Sequence, residues 1–135
     1  MHIESSISAV NAPLADVLNY ISIPSNLLSI LPSDKVQEFE SSETSCQFKV
    51  QGGIIISLVL DQVSNQEIYY KSGSKSPFPF TMTIKLNGID STTCSGMIIF
   101  NGEASTFVSM IAKGPLTALF QDMAKRVKEI MEEPK

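Results

Sequence analysis

From Leu116 onward, apolar residues recur at intervals of three and four, at Leu116, Leu119, Phe120, Met123, Val127, Ile130 and Met131, with Gln121, Asp122, Lys125, Lys128, Glu129 and Glu132 between them. That spacing predicts an α-helix with one apolar face. The run before it, Phe107, Val108, Met110, Ile111 and Ala112, is apolar on more than one side, and Pro115 removes a donor from the helical ladder. The stretch from Ser105 to about Glu132 therefore predicts one long, bent helix, or a short helix joined to a long one. A single long helix has to bury its stripe against a second layer.

The rest of the chain supplies that layer. Ile3, Ser5, Ile7 and Ala9 alternate with other residues and predict a half-buried first strand from His2 to Val10. Asn11 stands where an N-cap would, with Pro13 in the first turn and Leu14, Val17, Leu18 and Ile21 as a helical stripe. A second short helix follows Ile23-Pro24-Ser25, carries Leu27, Leu28, Ile30 and Leu31, and stops at Pro32. Six strands are then expected: Val36 to Ser41, Cys46 to Gln51, Ile54 to Val63, Glu67 to Ser72, Phe80 to Leu86, and Thr92 to about Gly102. Ser42 to Ser45, Gly52-Gly53, Ser64 to Gln66 and Asn87 to Asp90 read as the turns between them, and Gly73 to Pro79 as a longer connection. Short strands at regular intervals predict an antiparallel meander.

Alternation assigns the faces. Phe80, Met82, Ile84 and Leu86 point one way, and Cys46, Phe48 and Val50 face inward by the same rule. Ile56, Leu58 and Leu60 are taken as inward because Ser57 and Asp61 then face out; Ile68, Tyr70 and Ser72 follow. In the last strand Cys94, Gly96, Ile98 and Phe100 are placed inside, with Met97 and Ile99 outside as a partly exposed patch.

Composition changes the picture by exclusion. At 135 residues and 43% hydrophobic, with no repeat or linker, the chain reads as a single domain, residues 1–135. Ten basic residues against fourteen acidic ones, without a cluster, leave no electrostatic footprint for nucleic acid. Ile54 to Leu60 is too short to be a transmembrane segment, and Met1-His2-Ile3-Glu4 lacks the look of a signal, so a cytoplasmic protein is expected. Cys46 and Cys94 read as buried free thiols, and a chain whose one histidine is His2 has too few ligands for zinc; no cofactor is expected.

The order of elements, carried by the first strand Ile3 to Val10, the helix pair from Ile23-Pro24-Ser25-Asn26 to Leu31-Pro32, the entry Lys75-Ser76-Pro77-Phe78-Pro79-Phe80, and the stretch from Met110-Ile111 to Lys113-Gly114-Pro115-Leu116, resembles the START-like (SRPBCC) superfamily of the polyketide-cyclase and birch-pollen-allergen type. The resemblance implies an α+β helix-grip fold: a curved antiparallel sheet of about seven strands wrapped around one long C-terminal helix, with two short helices after the first strand. It also implies a cavity between sheet and helix for an apolar or lipid-like molecule.

Catalytic chemistry is thinly represented. A nucleophile with an imidazole base has only His2 to draw on, and no inward position carries a carboxylate. Gly52-Gly53 and Gly114-Pro115 lack the spacing of a phosphate loop. The candidate site is thus the lining: Phe48, Leu58 and Tyr70 from the middle strands, Phe80, Met82, Ile84, Ile98 and Phe100 from the last two, and Phe107, Met110, Ile111 and Phe120 from the helix. Tyr70 is the expected polar handle. The first reading is a binding protein for a small hydrophobic ligand, its oligomeric state left open by the sequence. The alternatives are a cofactor-free cyclase or aromatase in which Tyr70 supplies a proton, and a ligand-free interaction domain, like chaperone-activating relatives, docking through Met97 and Ile99 or the helix.

Overall fold

The computed structural model describes residues 1–132. Its strands are β1 (His2–Glu4), β2 (Ser8–Val10), β3 (Val36–Ser41), β4 (Ser45–Val50), β5 (Ile54–Val63), β6 (Glu67–Ser72), β7 (Phe80–Gly88) and β8 (Cys94–Gly102). Its helices are α1 (Leu14–Ile21), α2 (Leu27–Ile30), entered through a 3-10 turn at Pro24–Asn26, and α3 (Thr106–Met131). All eight strands join one antiparallel sheet in the order β1-β8-β7-β6-β5-β4-β3, with β2 also paired to β8. The sheet curves around α3 in a helix-grip arrangement.

The N-terminal strand departs from its predicted alternation. His2 pairs with Asn101, but Ser8 pairs with Gly96, so the register slips by one residue between β1 and β2. Ser5 fills the break: its N–H donates to the Ile98 carbonyl at 2.8 Å and its Oγ accepts from the Ile98 N–H at 2.8 Å. The extra residue flips the phase, so Ile3 and Ser5 face in, Ile7 and Ala9 face solvent, and Val10 is buried in their place. At the opposite edge β3 carries a second irregularity between Gln37 and Glu40, with Glu38 at φ 55°. A bulged, charged edge of this kind discourages pairing with another chain.

Gly52 and Gly53 sit at φ 89° and 77°, which explains why two glycines close the β4–β5 turn. Ser57 points away from α3 as expected, yet it is buried, because the chain after β6 folds over it. Gly73 donates its N–H to the Ser57 carbonyl and Ser76 Oγ accepts the Ser57 N–H.

α3 is one continuous helix of 26 residues with Pro115 inside it. Ser105 caps it, its Oγ accepting the Val108 N–H. Asn11 does not cap α1, whose N-cap is Pro13; its backbone and side-chain N–H groups donate instead to the Glu132 carboxylate at the far end of α3. Gln121 accepts the Ser6 N–H, and Arg126 donates from Nε and Nη2 to the Ser29 carbonyl. These ties lay α3 across β1, β2 and α2 and bury Ala112, Leu116, Leu119, Phe120, Met123, Ala124 and Val127. Each large apolar side chain so buried contributes roughly 1.5–3 kcal/mol.

Candidate functional site

The space between sheet and α3 has two ends of different character. At one end Phe78, Phe80, Phe100 and Phe120 are packed ring to ring. The Phe80 and Phe100 centroids lie 4.8 Å apart, Phe100 and Phe120 5.1 Å, and Phe78 meets Phe100 edge-on at 6.3 Å and 89°. Centroid separations in this range leave no room for another molecule. The alternation along β7 and β8 brings these rings together, because Met82 pairs with Phe100 and Phe80 with Gly102. A side chain at Gly102 would come within 2.8 Å of the Phe78 ring, so that glycine lets the cluster close.

The other end holds a cavity of about 20 Å³. Its wall is built by Val17 and Ile21 of α1, Ile30 of α2, Ala124 and Val127 of α3, Ser8 and Val10 of β2, Ile84 and Leu86 of β7, and Gly96, Met97 and Ile98 of β8, so that Met97, expected on the outside, reaches the rim. Two small residues line it: Gly96, where an added Cβ would meet the end of the Leu86 side chain at 2.9 Å, and Ala124 on the buried side of α3. The volume is that of about one water, but an apolar wall gives a water too few partners to hold it there.

Tyr70 lies between these ends with 1% of its surface exposed. Its hydroxyl donates to the Ile21 carbonyl at 2.7 Å, satisfying one of the acceptors that the end of α1 leaves open. Burial, and next the neighbouring Cys46, raise the hydroxyl pKa well above a tyrosine's ordinary value. Burial likewise pushes the Cys46 thiol up to about 12 and raises that of Cys94, so both stay protonated at neutral pH. His2 is on the surface between Asn101 and Glu4, and its pKa is raised by hydrogen bonds to Asn101 first and Glu4 second. Among the described residues no buried side-chain nitrogen or oxygen lacks a partner, and no cluster of His, Cys, Asp or Glu could hold a metal.

The lining expected from the sequence divides three ways. Ile84 and Ile98 line the cavity. Phe48, Leu58, Tyr70, Phe80, Met82, Phe100 and Phe120 are buried in the packed interior around it. Phe107, Met110 and Ile111 face away from the interior, being 72%, 79% and 48% exposed, which corrects their assignment to the wall. Helical phase is the reason. At roughly 100° per residue these three lie on the side of α3 opposite Leu116, and the inward positions of the first turns go to Val108 and Ala112.

The wall residues absent from the expected lining, Ser8, Val10, Val17, Ile21, Ile30, Leu86, Gly96, Met97, Ala124 and Val127, were mostly legible as apolar-stripe positions. Nothing in the pattern said that the short helices, rather than the first turns of α3, would close the space.

No family model and no curated protein matches the sequence. Solved structures do match. The NMR structure of KanY protein superposes with a TM-score of 0.75 at 15% identity, over 98% of each chain. A START superfamily protein from Mycobacterium smegmatis gives 0.65 at 11% identity, over 96% of this chain and 98% of that one. This is a START-like fold. The di-domain ARO/CYC BexL from the BE-7585A biosynthetic pathway has the same START-like architecture, with a TM-score of 0.67 at 9% identity over 98% of this chain and 48% of its own. Identities this low establish a shared fold and leave chemistry to the residues of each site.

Proposed function

We propose that this START-like chain binds a small apolar molecule between β7–β8 and the α1–α2 pair, at the cavity beside Ala124. The observation that carries the reading is a part-open, almost entirely apolar hollow where the sheet, the long helix and both short helices meet. An apolar hollow favours an apolar occupant, since burial of such surface contributes about 25 cal/mol per Å² while a polar group there goes unpaired. A hollow of about 20 Å³ sets the terms of binding: an occupant larger than water has to displace side chains of the wall. START superfamily and aromatase/cyclase neighbours are consistent with a fold used around small molecules.

The cyclase alternative is weaker, because the Tyr70 hydroxyl that would supply a proton is already donated to the Ile21 carbonyl and is not part of the wall of the hollow. Native mass spectrometry of the purified protein, followed by titration with a fluorescent fatty acid, tests the binding reading. A co-purifying apolar species or saturable uptake is expected, and Ala124→Leu, which adds more bulk than a hollow of about 20 Å³ holds, is expected to weaken uptake at least tenfold while the overpacking costs about 1–3 kcal/mol of stability. Absence of any bound species and of saturable uptake by the wild-type protein refutes it.

A further inference from the structure

α3 covers the interior with one face and leaves a second apolar face with nothing against it. Phe107, Met110 and Ile111 are 72%, 79% and 48% exposed. With Gly114, where an added side chain would meet nothing within 4 Å, they fall at i, i+3, i+4 and i+7, a stripe along the first two turns. Scattered exposed apolar residues are ordinary, but three adjoining ones on one face of a helix end mark an interaction surface.

Charge and area narrow the occupant. From Ser105 to Gly114 the only ionisable side chain is Lys113, and from Gly73 to Pro79 it is Lys75. These two segments lie at the same end of the molecule, because the Glu103 N–H just before α3 donates to the Pro79 carbonyl at 2.8 Å. The positive end of the α3 dipole is there as well. In a chain of net charge −4, these two segments therefore bring two lysines and a helix N-terminus beside Glu103, with the Met1 ammonium bonded to the neighbouring Gly102 carbonyl. Three side chains fall well short of the ~800 Å² per partner that a stable protein interface takes. A bilayer needs no such area or matching shape, only apolar side chains to enter the headgroup boundary and cations to meet phosphate.

We propose that the tip formed by the first turns of α3 and the Gly73–Pro79 loop docks this protein on an anionic phospholipid surface. Phe107, Met110 and Ile111 insert, and Lys75 and Lys113 flank them. The docking is independent of whether the interior takes a ligand, and its test reads a different quantity. Flotation of the full chain with phosphatidylcholine vesicles, and with equal phosphatidylcholine and phosphatidylglycerol, is expected to show binding to the anionic vesicles that weakens with salt.

The double variant Phe107→Ser/Met110→Ser is expected to lose at least tenfold in that binding with an unchanged circular-dichroism melt. Lys75→Gln/Lys113→Gln is expected to flatten the salt dependence. The chain contains no tryptophan, so Phe107→Trp gives a single reporter whose emission shifts blue on insertion, whatever the double variant does to folding. Wild-type protein that stays off anionic vesicles, or indole emission from the Phe107→Trp variant that they leave unmoved, overturns the proposal. A concentration-dependent dimer in light scattering that Phe107→Ser/Met110→Ser abolishes, without vesicle binding, overturns it in favour of a self-association face.

Discussion

Replacing Tyr70 by phenylalanine keeps the ring and removes one hydroxyl, so it isolates what the polar group at the centre of this interior does. The hydroxyl sits 2.7 Å from the Ile21 carbonyl at the end of α1. Without it that acceptor stays buried and unpaired, which costs about 1–3 kcal/mol. A chain of this size loses roughly 3–4 °C of thermal midpoint per kcal/mol, so a fall of about 3–12 °C is expected at pH 7. Tyr69→Phe is the control: its hydroxyl donates to the Glu67 carboxylate at the surface, and the change should stay within about 0.5 kcal/mol.

The pH dependence gives a second readout. Burial raises the Tyr70 pKa in the folded state, so the stabilisation is whole below the unfolded value of about 10 and is lost as pH climbs through the folded value. Tyr70→Phe removes that part of the alkaline loss. Circular-dichroism melts of the three proteins from neutral to alkaline pH measure both effects. A Tyr70→Phe protein that melts with the wild type at pH 7 would show that α1 does not depend on this bond.

Gly96 and Gly102 are both inward positions of β8, and alanine should separate them. At Gly96 the new Cβ meets the end of the flexible Leu86 side chain at 2.9 Å beside the cavity, so a change within about 1 kcal/mol is expected; at Gly102 it meets the Phe78 ring at 2.8 Å inside the aromatic cluster, and about 1–3 kcal/mol is lost. Denaturant midpoints of the two variants compare them. Cys46, raised to about 12 by burial, contributes stability that is present below its unfolded value of about 8.5 and lost as pH rises towards 12, so Cys46→Ala is expected to flatten denaturant midpoints measured across that window. Hydrogen exchange should find the amides of α1 and α2 opening before those of β7 and β8.

Most of the architecture was legible because the chain uses a different period for each layer. The two-residue alternation of Phe80 to Leu86 and of Cys94 to Phe100 named the inward side chains correctly, and the three-and-four spacing from Leu116 named the buried face of α3. Ser5 shows where pattern reading fails. A bulge inserts one residue without any change in polarity, and Ile7, which continues the alternation on paper, ends up 71% exposed. Phe107, Met110 and Ile111 failed differently. An all-round apolar run gives no phase of its own, but extending the phase backwards from Leu116 would have put them outside. The cavity was invisible because it depends on how the short helices, Leu86 and Ala124 pack against the sheet, and composition records no packing.

The same contrast explains which wall can yield to an occupant. β7 and β8 are hydrogen-bonded to each other along their whole lengths and to further strands on their other sides, so moving them breaks many backbone bonds at once. The opposite wall is held to the rest of the molecule by few polar ties: Tyr70 to the Ile21 carbonyl, and Arg126 to the Ser29 carbonyl. The neutral bond is worth about 1 kcal/mol net and the charged one about 1.5–3, against the burial of Val17, Ile21, Leu27 and Ile30 that keeps the pair closed. An apolar occupant that slides between β7–β8 and α1–α2 replaces much of that burial with its own surface, so the cost of opening falls on the few polar ties. A polar occupant offers no such replacement, and the wall closes against it.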